Sequence, residues 1–176
     1  PVKSMKQLIA LATARPGQLN YPSSGPGAVG PLSGELLNAL ARIDIVHIPY
    51  KGIGPATVDL IAGHVQISFA STPVVIGHVR QGRLRLLAQA GARRAASLPD
   101  VPTVEEAGGP RYVVGSGFKF VGPSGIPRPI AEKLNDALAK ALREPANHKA
   151  LVDQGAEPVG STIEEHAAII RTEIEK

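Results

Sequence analysis

Between residues 19 and 90 the chain alternates between short apolar runs and helix-length amphipathic runs, and this alternation restricts its fold more than any other feature. Residues 19–21 and 45–50 are apolar and short. In 65–69, Val65, Ile67 and Phe69 alternate with Gln66 and Ser68, the period of a strand with one buried face. Residues 84–90 form a fourth apolar run. Between these segments Leu32, Leu36, Leu37 and Leu40 fall on one helical face. A second helix has Pro55 in its first turn, where a missing N–H is harmless, and stops at Gly63. A third runs from Thr72-Pro73 to Gly82. The pattern reads βαβαβαβ, which gives parallel strands with helices packed on the sheet faces. In such α/β sheets ligands bind beyond the carboxyl ends of the strands, at helix N-termini.

The flanks differ. Residues 4–14 read as a helix with Met5, Leu8, Ile9 and Ala12 on one side, closed by Pro16-Gly17. Residues 98–109 are a Pro- and Gly-rich connection, and 112–121 read as extended. Ile130, Leu134, Ala137, Leu138, Ala141 and Leu142 mark a long amphipathic helix; 145–154 read as another, with Gly155 closing it. Ser161 and Glu164 have the spacing of a capping box for a last helix carrying Ile163, Ala167, Ile170 and Ile174. These helices have apolar faces but little sheet of their own to cover.

The candidate site is the loop NYPSSGPGAVGPLSGELLNAL, residues 20–40, where Gly25, Gly27 and Gly30 match G-x-G-x-x-G. A nucleotide P-loop would end in Gly-Lys-Ser/Thr; here Gly30-Pro31-Leu32 stands instead. A dinucleotide loop needs an acid at the end of the second strand. That strand ends at Tyr50-Lys51-Gly52, and Asp44 lies at its other end. Lys51 leaves an NADP reading open, although Pro26 and Pro31 remove two N–H groups that a pyrophosphate would use. A small anion or carboxylate is the third reading: free amides and the helix dipole favour negative charge, and Ser23 and Ser24 add hydroxyls. A plain strand-to-helix turn that uses glycine for its φ angles also satisfies the pattern.

Composition removes other classes. The chain has no cysteine, so disulfides, thiolate metal sites and cysteine nucleophiles are excluded. Arg80, Arg83, Arg85, Arg93 and Arg94 cluster, but aromatics are 3% of residues, too few to stack bases, and the cluster reads as a solvated basic face. His47, His64, His78, His148 and His166 never stand four apart. His47, in an apolar strand, reads as a core or cleft-edge residue. Gly122-Pro123-Ser124-Gly125 is not a nucleophile elbow. Asp59 and the Glu105-Glu106 pair read as surface acids, the pair in the first turn of a short helix. No carboxylate pair suits acid–base catalysis. The chain is expected not to be an enzyme and to need neither metal nor cofactor.

In order along the chain, PGQLNYPSSGPG, VHIPYKG, SLPDVPTVEEAG, GPSGIP and GAEPVGSTIEEHAAIIRTEI resemble the Bug (TctC-like) solute receptors of tripartite tricarboxylate transporters. The resemblance spans nearly the whole chain, and LPDVPTVEEAG and EPVGST are its specific parts. It implies an α/β, type II periplasmic binding protein fold in which two lobes close on a small carboxylate. The loop amides and bound waters would hold the ligand, and the receptor would deliver it to membrane transporter subunits from the periplasm. By position it implies ligand-facing roles for Ser23, Ser24, Gly25, Gly27 and Ala28, for Tyr50 beside the cleft, and for Ala70 and Ser71 after the third strand.

Relatives commonly carry a His where Gly30 and Pro31 stand, an Asp where Ala70 stands and a Trp near Gly117. The family's first strand and its anion loop would precede Pro1. The division this implies is 1–18 as a helix leading in from lobe one, 19–95 as the parallel-sheet second lobe, and 96–176 as the returning connection and C-terminal helices of the first. Uncovered apolar faces on those helices would let two copies pair. No nucleic acid is expected as a partner. A ligand-sensing domain of a transcription regulator shares the two-lobed fold and stays open beside the NADP-dependent enzyme.

Overall fold

A computed structural model describes residues 2–25, 28–115 and 117–174. It divides into two compact units, Pro1–Ser116 and Gly117–Lys176.

In the first unit, α1 (Met5–Ala14) begins where Ser4 Oγ accepts the Gln7 amide. It buries Met5, Leu8 and Ala12, one face at helical spacing. Strands β1 (Leu19–Ser23) and β2 (Ile45–Pro49) pair in parallel, from Leu19 opposite Ile45 to Ser23 opposite Pro49. Their carboxyl ends therefore lie level. Helix α2 (Val29–Ala41) connects them, and the Asn38 side chain closes the return by bonding both N and O of Ile45 at 3.0 and 2.9 Å. Helices α3 (Ile53–Ala62) and α4 (Thr72–Arg80) follow, with Gly63 and Gly82 in left-handed backbone just past their ends. The core joins Met5, Leu8, Ala12, Leu19, Tyr21, Leu37, Ile45, Val104 and Tyr112.

Four expectations are corrected by the structure. The third and fourth strands do not form ladders among the described residues. The 65–69 segment hydrogen-bonds to β1 through one residue: Asn20 O accepts the amides of Gln66 and Ile67, and Gln66 Oε1 takes the Asn20 amide at 2.9 Å. A side chain thus occupies the place of a ladder partner. The 84–90 segment contributes one bridge, Gln89 to Thr103.

The leucine face of α2 is also not its packed face. Leu32, Leu36 and Leu40 are exposed, while Ser33, Gly34 and Leu37 are buried. The Tyr21 ring lies against Gly34, where no larger residue leaves room for it.

Glu105-Glu106 opens no helix. Glu106 instead accepts the Thr103 amide and pairs with Arg94, so it is an anchor of its turn.

The second unit holds α5 (Arg128–Arg143), α6 (Pro145–Asp153) and α7 (Ile163–Ile174). The capping box of α7 is one residue later than expected. Thr162 Oγ1 accepts the Glu165 amide at 3.2 Å and Glu165 returns a carboxylate to the Thr162 amide at 2.8 Å. Glu164 is drawn to Arg128 instead. None of the described residues of this unit is buried, and Ile130, Leu134, Ile169 and Ile174 are exposed. No helix among the described residues is long and apolar enough to cross a membrane.

Candidate functional site

Three chain segments reach the carboxyl edge of the β1–β2 pair. The first is the end of β1. Ser23 is buried there, and its Oγ lies 2.6 Å from His47 Nε2 and 3.3 Å from the Gly25 amide that it accepts. Ser24 is exposed. Gly25 turns the chain at φ +122°, a conformation side chains disfavour, and its carbonyl accepts the Ala28 amide at 3.3 Å. Gly27 lies outside the described residues.

Second is the end of β2, where the Tyr50 amide donates to Ser23 O at 3.0 Å. A Cβ on Gly25 would stand 3.9 Å from Tyr50 O, so the two turns are adjacent. The Tyr50 side chain points elsewhere: its hydroxyl donates to Asp59 Oδ2 on α3 at 2.6 Å. The third segment is the chain after Phe69. A Cβ on Gly30 would lie 3.6 Å from Phe69 O and 3.7 Å from Ser23 Cβ, which brings the approach to Ala70 and Ser71 beside the start of α2.

These segments surround an open helix end. Ala28 is the N-cap of α2 and supplies no side-chain acceptor. The amides of Val29 and Gly30 are first-turn donors without an intrahelical partner, and Pro31 has no N–H to offer. Helices α3 and α4 start the same way, at Gly52 and Ser71, without side-chain caps and with Pro55 and Pro73 in their first turns. By contrast α1 and α7 are capped by their own side chains. The edge therefore presents main-chain donors and positive dipole ends, which suit an anion.

Beneath the edge sits an aromatic support. Tyr21, fully buried, stacks on His47 with ring centroids 5.2 Å apart and meets Phe69 edge-on at 5.3 Å. Its hydroxyl donates to Glu35 Oε1 at 2.9 Å; burial, then the Glu35 carboxylate, raises its pKa above the ordinary tyrosine value. Tyr112 donates to Ser33 O at 2.9 Å and braces α2 from another side. Hydrogen bonds from Tyr50, then His64, hold the Asp59 carboxyl below its usual range, while the same Asp59 contact raises the Tyr50 hydroxyl. Asp59 is thus a partnered acid rather than a plain surface one.

Of the expected site residues, Ser23, Ser24, Gly25, Ala28 and the Tyr50 backbone are gathered at one edge, and Ala70 and Ser71 adjoin it. His47 was not singled out as a site residue. The in-register pairing of Tyr21 with His47 is the signal that places it under the loop. Among the described residues, no three His, Asp or Glu side chains gather to hold a metal.

A profile described as "Tripartite tricarboxylate transporter family receptor" matches residues 1–176. Protein BugT of Bordetella pertussis is 36% identical over 173 residues, covering 98% of this chain and 53% of BugT. The chain thus spans about half the length of that relative. Among solved structures, Rhodopseudomonas palustris Rpa4515 with adipate superimposes with a TM-score of 0.94 at 34% identity, covering 99% of this chain and 58% of Rpa4515. MatC from the same organism, with bound malate, gives 0.78 at 31% identity, covering 90% of this chain and 54% of MatC. These matches carry the fold beyond the two-stranded pair to that of the periplasmic solute-binding receptors, and the chain belongs to the TctC family of tripartite tricarboxylate transporter receptors.

Proposed function

We propose that this chain is the ligand-holding part of an extracytoplasmic solute receptor. It captures a small dicarboxylate at the N-terminus of α2 and passes it, in the periplasm, to the membrane subunits of a tripartite tricarboxylate transporter. The observation that carries this reading is the open start of α2 at the level ends of β1 and β2, ringed by Gly25, Tyr50 O and Phe69 O. Relatives named for bound adipate and malate support the ligand class. Ser24, Gly25, Ala28 and Ser71 are its ligand-facing residues, with Tyr50 and Ala70 shaping the rim; Gly27 is assigned to the same loop by sequence alone. The chemistry is binding, not turnover.

Val29 N, Gly30 N and the Ser24 hydroxyl supply about three hydrogen bonds to a charged acceptor, each worth roughly 1.5 kcal/mol. That total, about 4–5 kcal/mol before ordering costs, makes roughly millimolar the tightest affinity expected of this chain alone. An NMR chemical-shift titration with adipate, malate and NADP tests it. Adipate or malate should shift the amides of residues 24–30 with millimolar midpoints, and Gly25→Val should abolish the shifts while leaving unfolding cooperative. Saturable NADP binding with no response to either dicarboxylate would overturn the receptor reading in favour of an enzyme. The exposed Ile130, Leu134, Ile169 and Ile174 support pairing of two copies, which light scattering would detect as a doubled mass.

A further inference from the structure

From the contact between His47 and Ser23 we infer that His47 is a positioning residue for the anion loop and makes carboxylate binding proton-linked. This rests on the receptor reading above. Ser23 Oγ has one hydrogen and two lone pairs. One lone pair accepts the Gly25 amide at 3.3 Å, in the side-chain turn that shapes the loop. The 2.6 Å contact to His47 Nε2 then has two forms. With Nε2 bare, the Ser23 hydrogen is spent on the ring and the hydroxyl offers the loop nothing. With Nε2 protonated, the ring donates, Ser23 Oγ accepts twice, and its hydrogen is released toward the loop. A fully protonated ring also adds a positive charge one hydrogen bond from the anion position. A bound carboxylate favours the second form, and within it the doubly protonated ring whose charge it offsets; reaching that ring from either neutral tautomer takes up a proton.

The surroundings leave this equilibrium open. Tyr21 on β1 faces the ring, with Glu35 on α2 beyond it at the Tyr21 hydroxyl. The 65–69 segment brings only Phe69 to this cluster, against Tyr21. The acid of α3, Asp59, is engaged by Tyr50 and His64. Among the described residues no carboxylate bonds His47, and its Nδ1 has no protein partner, so neither fixes its charge.

The test is an adipate titration of the 176-residue chain by NMR at pH 6 and pH 8, with nitrogen shifts of the His47 ring recorded alongside. Adipate should bind on the order of tenfold more tightly at pH 6. His47→Gln, whose amide donates at every pH, should flatten that difference. In the free protein at pH 8 the ring should carry its proton on Nδ1. Equal affinity at both pH values, or a pH 8 ring protonated on Nε2, overturns the inference and leaves the receptor reading standing. Absence of adipate and malate binding at both pH values removes the receptor reading and this inference together. The ring measurement on the wild-type protein decides the hydrogen-bond assignment even if His47→Gln fails to fold.

Discussion

Gly34→Ala is the sharpest probe of how α2, and with it the candidate site, is seated. A Cβ at position 34 would stand 2.1 Å from Tyr21 Cζ, 2.4 Å from Cε2 and 2.5 Å from the hydroxyl oxygen. The ring cannot withdraw easily. It is fully buried, stacked on His47, edge-on to Phe69 and tied to Glu35. The helix must therefore lift from the sheet. Alanine favours a helix interior over glycine by about 1 kcal/mol, whereas forcing an extra methyl into a packed contact costs about 1–3 kcal/mol. At 2.1 Å the cost lies at the upper end of that range, so overpacking wins, for a net loss of about 2 kcal/mol. With a urea slope of roughly 2 kcal/mol/M, the unfolding midpoint should fall by about 1 M. Urea unfolding followed by circular dichroism measures it. Because the clash is with one ring, the same change in a Tyr21→Leu background should cost little or stabilise, a coupling of at least about 1 kcal/mol. A Gly34→Ala protein as stable as wild type would show that helix propensity outweighs the contact and that Tyr21 is not the wedge described.

The remaining expectations concern other anchors. Thr162→Ala should cost about 1 kcal/mol of stability and reduce helical signal, while Ser161→Ala leaves both unchanged, as read by thermal unfolding; the reverse order would restore the earlier cap register. Gln89→Ala removes side-chain bonds to Leu98 O, Val101 O and the Ala95 amide, so it should cost roughly 2–3 kcal/mol and speed proteolysis within 95–104. Asp59 has a depressed pKa in the folded state. Its contribution is present above the unfolded value near 3.9 and is lost as pH falls through the lower folded one. Tyr50 is raised when folded, so its contribution is present below about pH 10 and is lost as pH rises through its raised value. Melting temperature against pH should therefore decline at both extremes, and Tyr50→Phe should flatten both declines.

Much of the fold was legible because helix ends are written in local chemistry. Ser4, Gly63, Gly82 and Gly155 mark boundaries that backbone conformation enforces. The packed face of α2 was not legible, since four leucines outweigh Ser33 and Gly34 in any reading of hydrophobic period. The deciding fact is the Tyr21 ring, distant in sequence. Residues 65–69 carry a strand's alternation, but the Gln66 side chain competes for the Asn20 amide, and no single-segment pattern reveals that. The α7 cap was ambiguous by construction: Ser161-Thr162-Ile163-Glu164-Glu165 contains two overlapping boxes, and Arg128 selects between them by claiming Glu164. The loop's position at a strand end followed from the alternation. His47 beneath it depended on strand register, a tertiary property.

The helices that start at this edge without side-chain caps have a consequence for how such a protein changes. Donors that belong to the main chain survive nearly every substitution, so an alanine scan across residues 24–30 would leave Val29 N and Gly30 N in place and return a misleadingly quiet map. Amide-to-ester replacement at those two peptide links would expose them directly. Over generations the same property separates grip from selectivity. Under the proposed carboxylate reading, neighbours such as Ala70 and Ser71 can be exchanged to admit a longer or bulkier acid while the main-chain donors stay as they were. A lineage of receptors built this way can diversify its cargo without having to reinvent its handle.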